Sequence, residues 1–340
     1  MHISRLYKLF SNLKRQIDGQ IFYKAREDIS MEKNMKRSKE KKSKKKIWLW
    51  IIGSLLTIFL IFLGTAYYTI QKTMNKINTP LVETDDTPDK TQKTITKKEP
   101  FSVLMLGVDE RKDDSGRSDT MIVITVNPEK QTMKMLSIPR DTRTEIIGHD
   151  TVDKINHAYA FGGVPMAMDT VENLLDIPLD YYVFINMEGF LQIIDTLGGV
   201  TIQNDMDLTY DSYHYPEGEI SLSGDEALIF SRIRYEDPRG DFGRQIRQRQ
   251  IIEAVMKKAS TPSMLLKATD MLDVVGDNVR MNFTVKDLIQ LQSIYKKMDN
   301  NIDQLSFEAG EGQMMNHIWY YIPDETELQQ IKTELKTHLE

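Results

Sequence analysis

Arginine is concentrated in three short segments of this 340-residue chain. Eleven arginines follow position 68 and ten of them belong to these segments, whereas the lysines of the same region are scattered. A guanidinium offers a planar fork of donors that matches two phosphate oxygens at once, whereas an ammonium acts as a point charge. The clustering favours a phosphate or pyrophosphate site; structural salt bridges with the interspersed acidic residues are the alternative. The clustered residues are Arg111, Arg117, Arg140, Arg143, Arg232, Arg234, Arg239, Arg244, Arg247 and Arg249.

Spacing within the last segment indicates two surfaces. Arg232 and Arg234 are two residues apart in FSRIRY, so an extended strand would present both side chains on one face. A second set shares one stripe of a helix predicted over 243–260, and the first turn of that helix should face an anion. Free N–H groups and the helix dipole both favour negative charge at that end. The stripe consists of Arg244, Arg247, Gln248, Ile251 and Val255.

Four aspartates accompany the arginines: Asp109, Asp119, Asp237 and Asp241. Carboxylates alone would repel a phosphate, so their presence predicts a divalent cation that is shared with it. Magnesium suits this arrangement, because it takes one or two carboxylates together with phosphate oxygens and waters. The alternative is that Asp109 and Asp119 only cap turns.

The sequence also excludes several kinds of chemistry. It contains no cysteine, which rules out disulfides, zinc–thiolate sites, iron–sulfur clusters and cysteine nucleophiles. None of its histidines forms an HExxH pair, and GxSxG and GxxxxGK[ST] motifs are absent. His157, in KINHAYAFGG, is interpreted as structural. The region after position 68 is acidic, which disfavours a nucleic-acid binder.

Strands and helices alternate in the region that carries the arginines. The runs FSVLMLGV, TMIVITVN, TMKMLSIP, YYVFIN and VTIQN predict strands. Ser223 with Glu226 three residues later predicts a capping box at the start of a helix. The pattern indicates one α/β domain whose helices cover both faces of a mixed sheet. Helices are predicted over 163–175, 187–197, 223–230, 243–260, 263–272 and 284–298, and a late strand over 304–308.

The N-terminal part predicts a membrane anchor. Residues 1–46 carry 15 Lys and Arg against 5 Asp and Glu, and residues 47–68 carry no charge. An apolar run of this length can span a bilayer, and flanking lysines are retained on the cytoplasmic side. We therefore predict a cytoplasmic tail (1–46), a transmembrane helix (47–68), an extracytoplasmic stalk (69–99) and an extracytoplasmic domain (100–340). This is the type II, single-pass topology of a cell-membrane protein; a cleaved signal peptide is the alternative.

The ordered motifs of the chain closely resemble the LytR-CpsA-Psr family, densely from about residue 100 to 259 and more loosely after that. The motifs are LMLGVDER, GRSDTMIVITVNP, SIPRDTR, KINHAYAFGG, FINMEGF, DTLGGV, LSGDEALIFSRIR and DFGRQIRQRQ. The resemblance implies an α/β/α sandwich with a central mixed sheet, whose interior holds a polyprenyl chain. Helices 163–175 and 187–197 are candidate walls of such a tunnel, and core packing explains them equally well.

The resemblance also implies an activity. Family members are membrane-anchored enzymes of Gram-positive envelopes that transfer a phosphate-linked glycopolymer from undecaprenyl pyrophosphate to the 6-hydroxyl of N-acetylmuramic acid in peptidoglycan. They use Mg²⁺, or Mn²⁺ in its place. The motifs look most like the members that attach wall teichoic acid. An envelope regulator that binds polyprenyl phosphate without catalysis is the alternative.

The family motifs imply a role for each matching residue. Asp109 and Asp119 match the metal-side carboxylates, and Asp241 is similar to a family carboxylate that would serve as a base or a metal partner. Arg111, Arg143 and Arg247 lie beside the motif positions and are less firmly matched. The residues implied to clamp the pyrophosphate are Arg117, Arg140, Arg232, Arg234, Arg244 and Gln248. Those implied to take part in catalysis are Arg117, Arg140, Arg232, Arg234 and Asp241.

Overall fold

A computed structural model describes residues 93–110, 116–261, 276, 278–298 and 301–340, together with scattered positions between 23 and 72. The predicted tail, membrane helix and stalk fall mostly outside these residues, as do the helix predicted over 263–272 and Arg111. Among the described residues, no helix combines the length and apolar character needed to cross a membrane. The chain divides into two compact units, Met1–Tyr67 and Tyr68–Glu340, and the second unit contains all the elements below.

The elements follow one another along the second unit as an alternation of strands and helices. The strands are β1 (Phe101–Val108), β2 (Ser118–Asn127), β3 (Thr132–Ser137), β4 (Arg143–Ile146), β5 (Thr151–Lys154), β6 (Tyr181–Asn186), β7 (Val200–Asn204), β8 (Leu208–Tyr210), β9 (Tyr213–Tyr215), β10 (Gly218–Leu222), β11 (Val279–Met281), β12 (Ile302–Leu305), β13 (Glu311–Met315) and β14 (Ile318–Ile322). The helices are α1 (His157–Leu175), α2 (Met187–Thr196), α3 (Gly224–Phe230), α4 (Asp241–Ala259), α5 (Val285–Tyr295) and α6 (Glu325–Leu339).

A six-stranded sheet in the order β11-β6-β1-β2-β3-β12 forms the centre of the fold. β1 pairs antiparallel with β2 and parallel with β6, so the sheet is mixed as predicted. β2 and β3 are antiparallel, and β12 runs parallel to β3. Two-stranded hairpins, including β4–β5 and β13–β14, lie outside this sheet.

Helices cover both faces of the sheet, as the α/β prediction requires. Side chains of β1 alternate between two cores: Leu104 and Leu106 face the core that α1 and α6 complete, whereas Phe101 and Val103 face the core that α5 completes. Burial on both faces explains why β1 is apolar along almost its whole length. Ile252 and Met256 of α4 pack against the same core as α5. We refer below to the side covered by α1 and α6 as the α1 face, and to the side covered by α4 and α5 as the α4 face.

Most predicted elements are confirmed, and their boundaries differ by a few residues. The capping box is present: Ser223 Oγ accepts from the N–H of Glu226, whose carboxylate accepts from the N–H of Ser223 at 2.8 Å. The helix predicted over 163–175 begins earlier, at His157, and is interrupted by Gly162 and Gly163, which have non-helical dihedrals. The prediction missed helix α6 and the hairpins. The hairpin strands are short and partly exposed, so their apolar pattern is weak.

Candidate functional site

A cavity of about 160 Å³ lies on the α4 face of the sheet, between the central strands and helices α2, α3 and α4. Apolar walls with a few polar groups are typical of sites for small molecules and cofactors. Two residues of α2, Met187 and Phe190, line the cavity, so the predicted helix 187–197 forms part of its wall. Helix α1 packs into the hydrophobic core of the other face instead. The apolar walls include Met105, Ile185, Met187, Phe190, Leu228 and Ile252. The polar lining consists of Asp119, Thr120, Asn186, Ser231, Arg232, Arg244 and Gln248.

Asp119 reaches the cavity from a β-bulge. Gly107 of β1 lies opposite Thr120 of β2, and Val108 lies opposite Ser118, so Asp119 is an extra residue in the ladder. Bulges of this kind redirect a side chain and are frequent beside active sites.

Arg140 holds the Asp119 carboxylate. Its Nη1 lies 2.7 Å from Asp119 Oδ1. Burial opposes the charge of Arg140, but the negative charge of Asp119 more than offsets this and raises the guanidinium pKa. The backbone of the segment is fixed on both sides: Thr142 N–H donates to the Pro139 carbonyl, and the Arg140 carbonyl accepts from Asn156 N–H at 3.2 Å. These backbone hydrogen bonds hold Arg140 in the position where it pairs with Asp119.

Arg244 and Asp241 form a second pair in the first turn of α4. Arg244 Nη2 lies 2.6 Å from Asp241 Oδ1, and Gln245 Nε2 donates to Asp241 Oδ2 at 3.1 Å. Burial lowers the pKa of Arg244, against the opposing charge of Asp241. Its buried Nε has no hydrogen-bond partner among the described residues. A buried N–H without an acceptor is costly, so this atom favours an incoming anion.

The extended strand predicted for FSRIRY is wrong. α3 ends at Phe230, and Arg232 N–H donates to the Ile229 carbonyl at 3.0 Å, which continues the turn. Arg232 and Arg234 still share an outward direction, because Ile233 between them is fully buried. Arg232 lines the cavity and contacts Met187 Sδ, and Arg234 Nε lies 3.8 Å from Asp241 Oδ1.

The predicted arginine stripe of α4 is divided between two environments. Arg244 and Gln248 line the cavity, whereas Arg247 is fully buried beneath the loop after α3. Arg247 donates to the carbonyls of Phe230 and Ile233 and to the carboxylate of Asp237. Arg247 is thus a structural residue of the loop rather than part of the clamp.

Asp237 belongs to the same buried cluster and not to the cavity. It binds both Arg247 and Arg239, the latter at 3.0 Å. Burial raises the pKa of its carboxyl, but the hydrogen bonds from Arg239 and Arg247 prevail and hold it at about 2. A Cβ at Gly243 would come within 1.9 Å of Asp237 Oδ2, so only glycine allows α4 to approach this carboxylate. The expectation that Asp237 shares a cation with the phosphate is therefore wrong.

Two further predicted site residues, Asp109 and Arg117, lie near the ends of β1 and β2. Asp109 follows β1 directly, and Arg117 is exposed immediately before β2. Among the described residues, no group of three or more His, Asp or Glu side chains is placed to hold a metal ion. Asp119, which borders the cavity, provides hard oxygen donors suited to Mg²⁺. The donor set fits a cation that a bound phosphate would complete, rather than a site built from protein ligands alone.

Helix 187–197 was predicted as a candidate wall, but sequence reasoning missed the walls that the sheet, α3 and α4 contribute and the polar residue Asn186. Asn186 ends β6 and caps α2, because its side chain accepts from Gly189 N–H at 2.9 Å. An asparagine directly before a helical pattern is the signal that could have indicated this position. No comparable signal exists for Met105 or Ile252, since an apolar residue that lines a cavity and one that fills a core look alike in sequence.

The fold and this site describe an α/β protein in which an apolar cavity opens beside clustered arginines. The model of the LytR_cpsA_psr family matches residues 64–337. The chain therefore belongs to this family.

Several similar proteins carry the name of a transferase. The protein named polyisoprenyl-teichoic acid–peptidoglycan teichoic acid transferase TagU from Halalkalibacterium halodurans is 49% identical over 302 residues, which cover 86% of this chain and 98% of the relative. The protein of the same name from Bacillus subtilis is 48% identical over 309 residues, or 89% of this chain and 99% of the relative. The crystal structure of B. subtilis TagU covers 72% of this chain and 98% of its own, with a TM-score of 0.61.

Proposed function

We propose that this chain is a membrane-anchored phosphotransferase that moves an anionic glycopolymer, a wall teichoic acid, from undecaprenyl pyrophosphate to peptidoglycan. The acceptor is the 6-hydroxyl of N-acetylmuramic acid, and the product is a phosphodiester. One observation carries the proposal: the apolar walls of the cavity adjoin Arg232 and the half-buried Arg244, whose buried Nε has no hydrogen-bond partner among the described residues. The names of the similar proteins support it.

The cavity and the arginines suit the two parts of a lipid pyrophosphate. The apolar walls accommodate the proximal end of the polyprenyl chain, where its burial is favourable. The pyrophosphate then meets the guanidinium groups, which bind phosphate oxygens in pairs. In this proposal Arg232, Arg244 and Gln248 form the inner clamp, and Arg117, Arg140 and Arg234 form the outer one.

The proposed reaction is a single displacement at phosphorus. The acceptor hydroxyl oxygen forms a bond to the polymer-side phosphorus, while the bond from that phosphorus to the bridging oxygen breaks. Undecaprenyl monophosphate leaves with the bridging oxygen, and the hydroxyl proton passes to a base. The fixed positive charges of the clamp stabilise the negative charge that moves to the leaving group. No nucleotide is required, because the pyrophosphate stores the necessary free energy.

Asp109 and Asp119 are the residues proposed to hold Mg²⁺, with Mn²⁺ as a substitute. The cation would neutralise charge on the pyrophosphate oxygens. Asp241 is the proposed base or metal partner. Its oxygens already accept from Arg244 and Gln245, and the lone pairs that remain on each oxygen could take a proton or bind a cation.

The proposed topology follows from the sequence. Residues 47–68 form the anchor, residues 1–46 the cytoplasmic tail, residues 69–99 the stalk and residues 100–340 the external domain. The lysines before position 47 support this orientation. Protease added to intact protoplasts should remove the domain and spare the tail; protection of the domain would reverse the orientation.

Reconstitution distinguishes this function from a non-catalytic regulator. The full chain in detergent is mixed with lipid-pyrophosphate-linked polymer, Mg²⁺ and peptidoglycan oligomers. The transferase proposal predicts release of lipid monophosphate in step with polymer joined to glycan. Binding of the lipid without release would favour the regulator.

A further inference from the structure

A polar surface adjoins Arg140 on the α1 face of the sheet, opposite the cavity. The β4–β5 hairpin and α1 pack into the core of this face through Ile146, Ile155 and Ala158. The cavity, in contrast, belongs to the α4 face. Arg140 and Asp119 therefore lie at the boundary between the cavity and this second surface.

Direct contacts connect Arg140 to the second surface. Arg140 Nε lies 3.7 Å from Asp141 Oδ2, and Lys154 Nζ lies 2.7 Å from Asp141 Oδ1. Lys154 and its cross-strand neighbour Arg143 both lie over the ring of Tyr320, 5.9 Å and 6.0 Å from its centroid. Two like charges opposite each other in a hairpin repel one another, so the ring and Asp141 stabilise this pair, in which Arg143 is exposed and Lys154 is half-buried.

Beyond Tyr320 the surface contains a carboxylate, an imidazole and an exposed aromatic ring. Tyr320 donates its hydroxyl to Asp153 Oδ1 at 3.1 Å, and Asp153 Oδ2 lies 2.7 Å from His157 Nδ1. The Phe161 ring packs edge-on against His157 and stacks on His149, with centroids 4.0 Å apart. Phe161 remains 45% exposed. An exposed ring beside ordered polar groups is an amphipathic surface of the kind found at binding sites.

We propose that this surface, formed by Arg143, Asp153, Lys154, His157 and Phe161 around the buried ring of Tyr320, binds the glycan strand of the acceptor. The inference rests on the proposed function. In a displacement at phosphorus the nucleophile and the leaving group lie roughly in line. If the lipid leaves toward the cavity, the acceptor hydroxyl approaches from the other side of Arg140 and Asp119, where this surface begins.

The chemistry of the surface suits a glycan. A pyranose ring has an apolar face of C–H groups, which can stack on Phe161, and an edge of hydroxyl and acetamide groups. Asp153 accepts hydrogen bonds from such an edge, and Lys154 and Arg143 donate to it. The contact chain from Arg140 to Phe161 lets one strand extend from the reacting hydroxyl across the surface.

The test compares Phe161→Ala with the conservative Phe161→Tyr in the full chain. The matched control is Tyr210→Ala, which removes a ring of similar exposure from the β8–β9 hairpin. The probe is a peptidoglycan glycan oligomer without attached polymer. Its Kd is measured by titration, the acceptor KM by transfer, the donor Kd by lipid pyrophosphate binding and the fold by Tm.

The surface predicts that Phe161→Ala raises the oligomer Kd and the acceptor KM about tenfold, as loss of a stacked ring would. The donor Kd and Tm should stay unchanged, and Phe161→Tyr and Tyr210→Ala should behave as wild type. Failure of wild type to bind the oligomer, or an unchanged Kd in Phe161→Ala, would overturn the inference. A matching loss of donor affinity would assign the surface to the donor polymer instead. Oligomer binding without transfer in wild type would contradict the proposed function alone.

Discussion

Asp119 and Arg140 form an ion pair at the edge of the cavity, with 2.7 Å between Oδ1 and Nη1. The carboxylate of Asp119 is positioned by a bulge in β2, and the guanidinium of Arg140 by a hydrogen-bonded turn after β3. Within this pair each group neutralises the charge of the other. A pyrophosphate that binds Arg140 competes with Asp119, and the displaced carboxylate then needs a cation.

This competition predicts coupling between metal and lipid. Mg²⁺ should bind weakly to the free protein and more tightly once lipid pyrophosphate is present, and by linkage the lipid should gain the same factor. Asp119→Ala should remove most of the coupling and leave metal-free lipid binding through Arg232 and Arg244. Calorimetric titration of the lipid with and without Mg²⁺ measures this. Equal coupling in both proteins would exclude Asp119 as a metal ligand.

The clamp should depend on the shape of the guanidinium as well as on its charge. Arg232→Lys and Arg234→Lys keep the charge and lose the bidentate fork. Because the contact strengthens as charge develops on the leaving group, we expect kcat to fall on the order of 10²-fold with little change in donor affinity. Arg239→Lys is the control, because Arg239 binds Asp205 and Asp237 outside the cavity. Wild-type turnover in both clamp variants would assign these arginines to structure.

The buried Asp237–Arg247 pair should determine stability. Asp237→Ala leaves the fully buried Arg247 without its counterion, and we expect the free energy of unfolding to fall by about 3–5 kcal/mol. Urea unfolding measures this change. The control is Asp207→Ala, which removes an exposed carboxylate that pairs with His214 and should cost less than about 1 kcal/mol. Similar losses in the two variants would contradict the structural role of the pair.

His338 should make stability depend on pH. Burial, followed by the charges of Lys134 and Lys130, lowers the pKa of this imidazole to about 4 from its ordinary 6.5. Each ring nitrogen lies 2.8 Å from a threonine hydroxyl of β2 or β3. Between pH 6.5 and 4 the unfolded chain binds a proton that the folded chain does not, so stability should fall as the pH is lowered through this range.

The size of this effect is at most about 3 kcal/mol, to be read from urea unfolding at several pH values. His338→Gln should remove this part of the pH dependence, whereas the exposed His214→Gln should leave it in place. An unchanged pH profile in His338→Gln would show that other groups cause the acid sensitivity.

Local pattern was sufficient to predict the central strands and α4. β1 and β2 are predictable because burial on both faces requires continuous apolar runs, and α4 because its stripe repeats at the helical period. The bulge at Asp119 was not predictable, since it depends on the register between two strands. The arginine clusters singled out Arg140, Arg232 and Arg244 but not the distances between them; Arg232 and Arg244 line the cavity, and Arg140 pairs with Asp119 at its edge.

The division of the α4 stripe had to come from tertiary structure. Arg247 and Gln248 lie about 100° apart around a helix, so one can face the cavity while the other faces the loop after α3. Helix geometry determines that angle, but the residues that each side chain contacts depend on the path of that loop. The wrong strand prediction for Arg232 and Arg234 has the same cause. An arginine on each side of a buried Ile233 is compatible with a strand and also with the irregular turn that the chain forms.

The fate of the polymer-side phosphorus tests the central claim most directly. Lipid-linked polymer labelled with ³²P at that phosphorus alone is incubated with the full chain, Mg²⁺ and peptidoglycan oligomers, and the products are separated. Attack by the acceptor hydroxyl on this phosphorus predicts that the label enters the glycan, with unlabelled undecaprenyl monophosphate released in equal amount. Label retained on the lipid product, or lipid bound with no labelled glycan formed, would contradict the account.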